Sequence, residues 1–169
     1  MAEANDNGTL KSNIAALYSR VAPQYGQVGP TRFAYVGQRL VEQLGISKGA
    51  KVLDVAAGRG ANLFPAAEKA GSSGRVIGID LSEGMVRETA AEIQRRNVQN
   101  ATIMQMDAER LAFVHASFDY VLCGFSIFLF PHLEQTLAGF HRVLRPGGKL
   151  GISVAHNPDA LSQWYGQHI

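Results

Sequence analysis

Apolar residues recur at Leu10, Ile14, Leu17 and Val21, and again at Phe33, Val36, Leu40 and Leu44 before Gly45. Both stripes have helical spacing, so two helices are predicted, separated by the glycine- and proline-containing stretch APQYGQVGP. After Lys48 the rhythm changes. KVLDV, RVIGID, ATIMQM, FDYVLCGF and KLGISVA are short apolar runs that read as buried strands. Helical patterns lie between several of them. Asn62 stands as N-cap of NLFPAAEKAG, with Pro65 tolerated in the first turn. Ser82 caps a helix whose face carries Val86, Ala90 and Ile93. Leu133, Leu137, Phe140 and Leu144 mark another, closed by RPGG, and Asn157-Pro158 opens a last one.

Strands apolar on both faces and alternating with helices predict an α/β fold, a doubly wound, mostly parallel sheet preceded by two N-terminal helices. Residues 1–8 read as a flexible start, 9–45 as helices on the lid and substrate side, and 46–169 as the α/β core. Such sheets bind ligands beyond the carboxyl ends of their strands, where the strand order reverses. Asp54, Asp80, Asp107 and the Cys123-Gly124 pair all fall at strand ends of this kind.

Composition narrows the class. Apolar residues make up 46% of the 169 and charged ones 18%, which favours a folded domain over a disordered chain. The net charge of +2 comes with no dense Lys/Arg run, so nothing points to nucleic acid. No apolar run approaches the roughly 20 residues that cross a bilayer, and the polar start lacks a signal-peptide core. The single cysteine, Cys123, forms no internal disulfide and suits a reducing compartment. A cytoplasmic location is the expectation, with no membrane partner.

The stretch VLDVAAGRGANLF raises the chemical question. Gly58 and Gly60 supply part of a G-x-G-x-x-G dinucleotide fingerprint, but the third glycine position is Leu63. Asp54, at the strand end feeding the loop, would repel a pyrophosphate. A cationic ligand reverses that argument. S-adenosylmethionine carries a sulfonium and an ammonium beside one carboxylate, and an acid near the loop favours its positive end. Glycine at 58 and 60 lets the backbone come close to a ligand. Asp80 offers a bidentate, charge-assisted acceptor for a ribose diol. Asp107 offers an acceptor for an exocyclic amine, with the Ala108 N–H beside it, and Leu81 and Met85 supply apolar walls for a base.

VLDVAAGRG, VIGIDLSEGMV, MDAERLAF, FDYVLCGF and RVLRPGG, in that order, resemble the class I S-adenosylmethionine-dependent methyltransferases, most closely the small-molecule branch that includes quinone-biosynthesis enzymes. The resemblance runs roughly from Ala34 to Ala155. It implies a Rossmann-like methyltransferase fold, S-adenosylmethionine as cofactor and a small-molecule acceptor. It places the methionine part on the Ala56–Gly60 loop, the ribose on Asp80 and the adenine on Asp107-Ala108, with Cys123 to Phe125 lining the sulfonium side. Tyr18 and Tyr25 lie in a segment that such enzymes fold over the cofactor. Ala56 replaces the usual first loop glycine, and Arg59 the commoner Thr or Ser. Family members continue through a sixth and a seventh strand, so this chain is expected to lack the last two and to be truncated. A sheet edge left uncovered in that way points to a homodimer.

No catalytic residue stands out, and no His spacing suggests a metal site. His115 reads as a turn residue and His141 lies off its helix's apolar stripe. His132 and His156 are the two candidates for the substrate side. Cys123 reads as a small buried residue rather than a nucleophile, and Phe125, Phe128 and Phe130 as substrate wall or core. The expected function is methyl transfer to a small molecule, with a non-catalytic S-adenosylmethionine-binding module as the alternative.

Overall fold

The computed structural model describes the backbone of residues 2–26 and 32–154; the helix expected from Asn157, and His156, lie outside them. Two helices, α1 (Ala2–Val21) and α2 (Arg32–Leu44), precede five strands: β1 (Lys51–Val55), β2 (Arg75–Asp80), β3 (Ala101–Gln105), β4 (Phe118–Gly124) and β5 (Leu144–Ser153). α3 (Leu63–Ala70) joins β1 to β2, α4 (Glu83–Arg95) joins β2 to β3, and α5 (Leu133–Val143) joins β4 to β5. All pairings are parallel, in the order β3-β2-β1-β4-β5. The order therefore reverses between β1 and β4, and that is where the carboxyl ends leave a crevice.

Strand alternation sorts side chains into two cores. Val52, Val76, Tyr120 and Leu122 pack on one face with Val41 of α2, Leu63 and Ala66 of α3 and Ile93 of α4. Leu53, Val55, Ile79, Val121 and Cys123 pack on the other with Phe140 and Val143 of α5. Each fully buried large apolar side chain contributes about 1.5–3 kcal/mol. Side chains two apart share a face, which puts Asp54 with Val52 on the α3 side and Cys123 with Val121 on the α5 side.

Several expectations change. The helix α1 begins at Ala2, inside the segment read as a flexible start. Its stripe at Leu10, Leu17 and Val21 is exposed, and Lys11, Ile14, Ala15 and Tyr18 face inward instead. RPGG does not end a helix outside the sheet. It forms a bulge within β5: Phe118 pairs with Leu144 and Tyr120 with Lys149, so residues 145–148 loop out opposite Asp119. Gly147 supplies the positive φ of 78° that this bulge requires, and Arg145 Nη1 reaches Asp119 Oδ1 at 2.7 Å. Ser82 does cap α4, its Oγ accepting from the Met85 N–H at 3.1 Å. Among the described residues no helix is long and apolar enough to cross a membrane.

The helix α2 lies close to the loop after β1 because residue 37 is glycine. A Cβ there would stand 2.2 Å from the Ala61 carbonyl oxygen. Alanine gains about 1 kcal/mol over glycine in a helix interior. A backbone clash outweighs that gain, so Gly37→Ala is expected to destabilise by about 1–3 kcal/mol. A lowered urea midpoint with unchanged slope would show it; a midpoint at or above wild type would contradict it.

Candidate functional site

A cavity of about 690 Å³ opens at the switch point, within the size range of small-molecule sites. Its floor is the loop Ala56–Asn62, and one side is Asp80, Leu81, Ser82 and Met85 at the end of β2. Met106, Asp107 and Ala108 follow β3, while Gly124, Phe125 and Ser126 follow β4. The roof is α1, through Lys11, Ile14, Ala15 and Tyr18, continued by Tyr25, with Phe33 of α2. Phe64 and Glu68 of α3 and Glu92 and Arg96 of α4 also line it. Ten residues singled out from the sequence thus share one wall: Tyr18, Tyr25, Ala56, Gly58, Gly60, Asp80, Leu81, Met85, Asp107 and Ala108.

Asp80 is held from two sides. The Gly58 N–H donates to its Oδ2 at 2.8 Å, and the Ser82 N–H to its Oδ1 at 2.9 Å. Each oxygen keeps a further lone pair. Burial raises its pKa, against the lowering effect of these backbone donors. Gly58 has φ +52°, and a Cβ there would meet nothing within 4 Å. The space above Gly58 is open cavity, as a close-approach residue requires. Gly60 differs: its Cβ would stand 2.6 Å from the Phe64 ring, so protein packing is what excludes a side chain there. Ala56 adopts φ 51° without being glycine, a strained conformation on the cavity floor.

Two expected positions lie behind the wall. Asp54 is fully buried on the α3 face of β1. Its Oδ1 accepts from Asn62 Nδ2 at 3.0 Å, and its Oδ2 has no partner. Burial pushes its pKa up to about 7; Asn62 lowers it, the Asp80 charge raises it and the Leu63 backbone lowers it. Asn62 therefore does not cap α3 with its side chain, as expected from the sequence, but stands between Asp54 and the cavity. Gly124 makes room for it, since a Cβ there would lie 2.6 Å from Asn62 Nδ2. Cys123 points to the α5 face and lies near Ser126 Oγ at 3.1 Å. Burial raises its thiol pKa to about 11, so it is neither a wall residue nor a thiolate nucleophile.

The roof is attached by polar contacts. Lys11 donates to Asp107 Oδ2 at 2.8 Å and also pairs with Glu109. Glu109 accepts from the His132 N–H at 2.7 Å, and Asp107 Oδ1 from the Glu109 N–H at 2.9 Å. Asp107 thus caps the turn that follows it as well as lining the wall. Ser19 Oγ lies 2.9 Å from Ser82 Oγ and accepts from the Gly84 N–H at 3.2 Å. An aromatic series runs along the opposite wall: Tyr18–Tyr25 at 5.7 Å, Tyr25–Phe33 at 5.5 Å and Phe33–Phe125 at 5.5 Å between centroids. Burial, then Tyr18 and the Asp80 charge, raise the Tyr25 phenol's pKa, so it remains a hydroxyl donor. Phe130 joins the wall; Phe128 is exposed. Lys11, Phe33 and Asn62 are among the wall residues that sequence reasoning did not assign to the site.

Residues 52–148 match the model of a methyltransferase domain family. Over 148 residues the chain is 40% identical to the nocamycin O-methyltransferase of Saccharothrix syringae, a match covering 88% of this chain and 53% of that one. Over 147 residues it is 36% identical to the aklanonic acid methyltransferase DauC of Streptomyces sp. (strain C5), covering 87% and 67%. The chain thus spans between half and two thirds of the length of these relatives. Its fold is similar to a SAM-dependent methyltransferase from Aquifex aeolicus, with a TM-score of 0.68 at 21% identity, covering 82% of this chain and 79% of that one. With the family model matched over more than half of its length on a parallel sheet of this topology, the chain belongs to the class I S-adenosylmethionine-dependent methyltransferases.

Proposed function

We propose that this chain binds S-adenosylmethionine over the Gly58–Gly60 loop and directs its methyl group to a small-molecule acceptor. The observation that carries this reading is the placement of Asp80: a half-buried carboxylate at the end of β2, facing a cavity across a glycine with nothing above it. The residues present fit the cofactor. Asp80 has lone pairs left for a ribose diol, Asp107 and Ala108 sit where an adenine edge is expected, and Leu81 and Met85 are apolar neighbours for the base. The Asp54 carboxylate, one side chain behind the wall and with Oδ2 left without a partner, suits a cation.

When bound, the cofactor supplies a methyl group already activated by its sulfonium. The protein's part is alignment and exclusion of water, which together account for much of the acceleration in reactions of this kind. The helix α1 and Tyr25 close the cavity from above, and Asp80 fixes the sugar. Among the described residues the wall carries no histidine, and its tyrosine at position 25 is held protonated. An acceptor that ionises readily by itself suits such a wall. The aromatic series from Tyr18 to Phe125 suits a planar, largely apolar molecule. A homodimer remains part of the proposal only as a way to cover the outer edge of β5.

Isothermal titration with S-adenosylhomocysteine is expected to give one site per chain with micromolar or tighter affinity. Absence of heat on a sample with native circular dichroism would refute the binding reading. Transfer of radiolabelled methyl to planar phenols and enols tests the reaction itself.

A further inference from the structure

Thr89 is a fully buried polar side chain in the middle of α4, and neither the apolar core nor the proposed reaction has yet used it. A threonine inside a helix commonly turns its hydroxyl back to the carbonyl four residues earlier. Thr89 Oγ1 instead donates to the Gly58 carbonyl at 2.7 Å, leaving its own helix for the loop after β1. Among the described residues that carbonyl takes no backbone N–H. The N–H of the same glycine donates to Asp80 Oδ2 at 2.8 Å. Neighbouring parts of the loop are tied by backbone: the Ala57 N–H to the Ile79 carbonyl at 2.9 Å, and the Gly60 N–H to the Ala57 carbonyl at 2.8 Å.

The peptide from Gly58 to Arg59 is the link of this floor best able to turn over. Glycine accepts backbone angles that other residues do not, and nothing lies within 4 Å of where its Cβ would stand. In a trans peptide the carbonyl and the next N–H point opposite ways. With the Gly58 carbonyl drawn onto α4, the Arg59 N–H is turned away from that helix. A flipped peptide would reverse both groups. It would leave the buried Thr89 hydroxyl without its acceptor and put a carbonyl oxygen where a donor now stands. Leaving a buried polar group unpaired is costly, so the Thr89 bond selects one of the two orientations.

We infer that Thr89 is a positioning residue: its hydroxyl holds the Gly58–Arg59 peptide in the orientation that the cavity floor needs before a ligand arrives. The inference rests on the proposed cofactor, which lies on that floor. Thr89 does not line the cavity and acts through Gly58. Positioning of this kind shows in rates. Loop motions run from nanoseconds to microseconds, fast against ligand binding. A loop that flips freely leaves only a fraction of molecules competent, and affinity falls by that fraction. The loss lies in association, because dissociation starts from the competent form.

Surface plasmon resonance with S-adenosylhomocysteine reads both rates. Thr89→Val keeps the shape of the side chain and removes the hydroxyl. Its affinity is expected to fall about 5- to 30-fold, the range for one buried hydrogen bond. Most of that loss should be slower association, with dissociation within about twofold of wild type. Thr89→Ser should bring affinity back to within about threefold of wild type, because it keeps the donor. Should valine prevent folding, Thr89→Ser and Thr89→Ala, which differ by the hydroxyl alone, carry the same contrast. Affinity of the valine variant within about twofold of wild type would mean that the loop holds its orientation unaided, overturning the inference. A loss carried mainly by faster dissociation, or one that serine does not recover, would overturn it too. A folded wild type that does not bind S-adenosylhomocysteine would remove the cofactor reading, and this inference with it.

Discussion

Asp80→Ala is expected to weaken S-adenosylhomocysteine binding by at least about 100-fold, the largest effect of any single wall substitution. The estimate follows from what the carboxylate can accept. Two hydrogen bonds from a diol to an ionised carboxylate are worth about 1.5–3 kcal/mol each, and 1.4 kcal/mol is a factor of ten. Asp80 also organises its surroundings, through the Gly58 N–H of the loop and the Ser82 N–H at the start of α4. Alanine therefore removes the ligand's acceptor and the anchor of both flanking segments. Asp80→Asn keeps the size and one acceptor oxygen, and should lose less. The ribose is common to S-adenosylhomocysteine and 5′-methylthioadenosine, which lacks the amino-acid group, so Asp80→Ala should weaken both. Calorimetry with the two ligands gives the comparison; an Asp80→Ala affinity for adenosylhomocysteine within threefold of wild type would mean that Asp80 does not hold the sugar.

Asp80 was legible because its place depends only on local pattern. RVIGID is a buried run of strand length, and the aspartate ends it. Asp107 follows the same logic after β3. Cys123 was open to the same reasoning and is decided by parity: it alternates with Leu122, so it faces α5. The state of Asp54 was not legible. Its burial depends on Asn62 reaching back from the start of α3 and on Gly124, from β4, leaving room for that amide. These contacts join three elements distant in sequence. The roof was half legible. Tyr18 and Tyr25 carried a signal, but the apolar stripe of α1 indicated the wrong face, because the helix docks through Lys11, Ser19 and Ala22 rather than through Leu10 and Leu17.

Asp54→Asn is expected to stabilise the protein at pH 8 by roughly 2–4 kcal/mol and to leave it near wild-type stability at pH 4. In the folded protein burial holds the Asp54 pKa at about 7, above the ordinary value of 3.8. An acid shifted upward is protonated more readily in the folded state than in the unfolded one. Its favourable contribution is complete below the unfolded pKa, falls as pH rises from about 4 to about 7, and is gone above that. Asparagine keeps an oxygen for Asn62 Nδ2 and has no charge to bury, so its advantage should grow over that window. Urea unfolding at several pH values measures this; a constant difference between the two proteins across pH 4–8 would rule it out. The same substitution should cost function. At neutral pH a cation near the site favours the ionised carboxylate, so binding should release part of a proton, detectable as a calorimetric heat that varies with buffer ionisation enthalpy. Asp54→Asn should abolish that release and narrow the preference for S-adenosylmethionine over the uncharged thioether of S-adenosylhomocysteine. The carboxylate destabilises the resting protein at neutral pH, and a sulfonium near the wall would offset that cost.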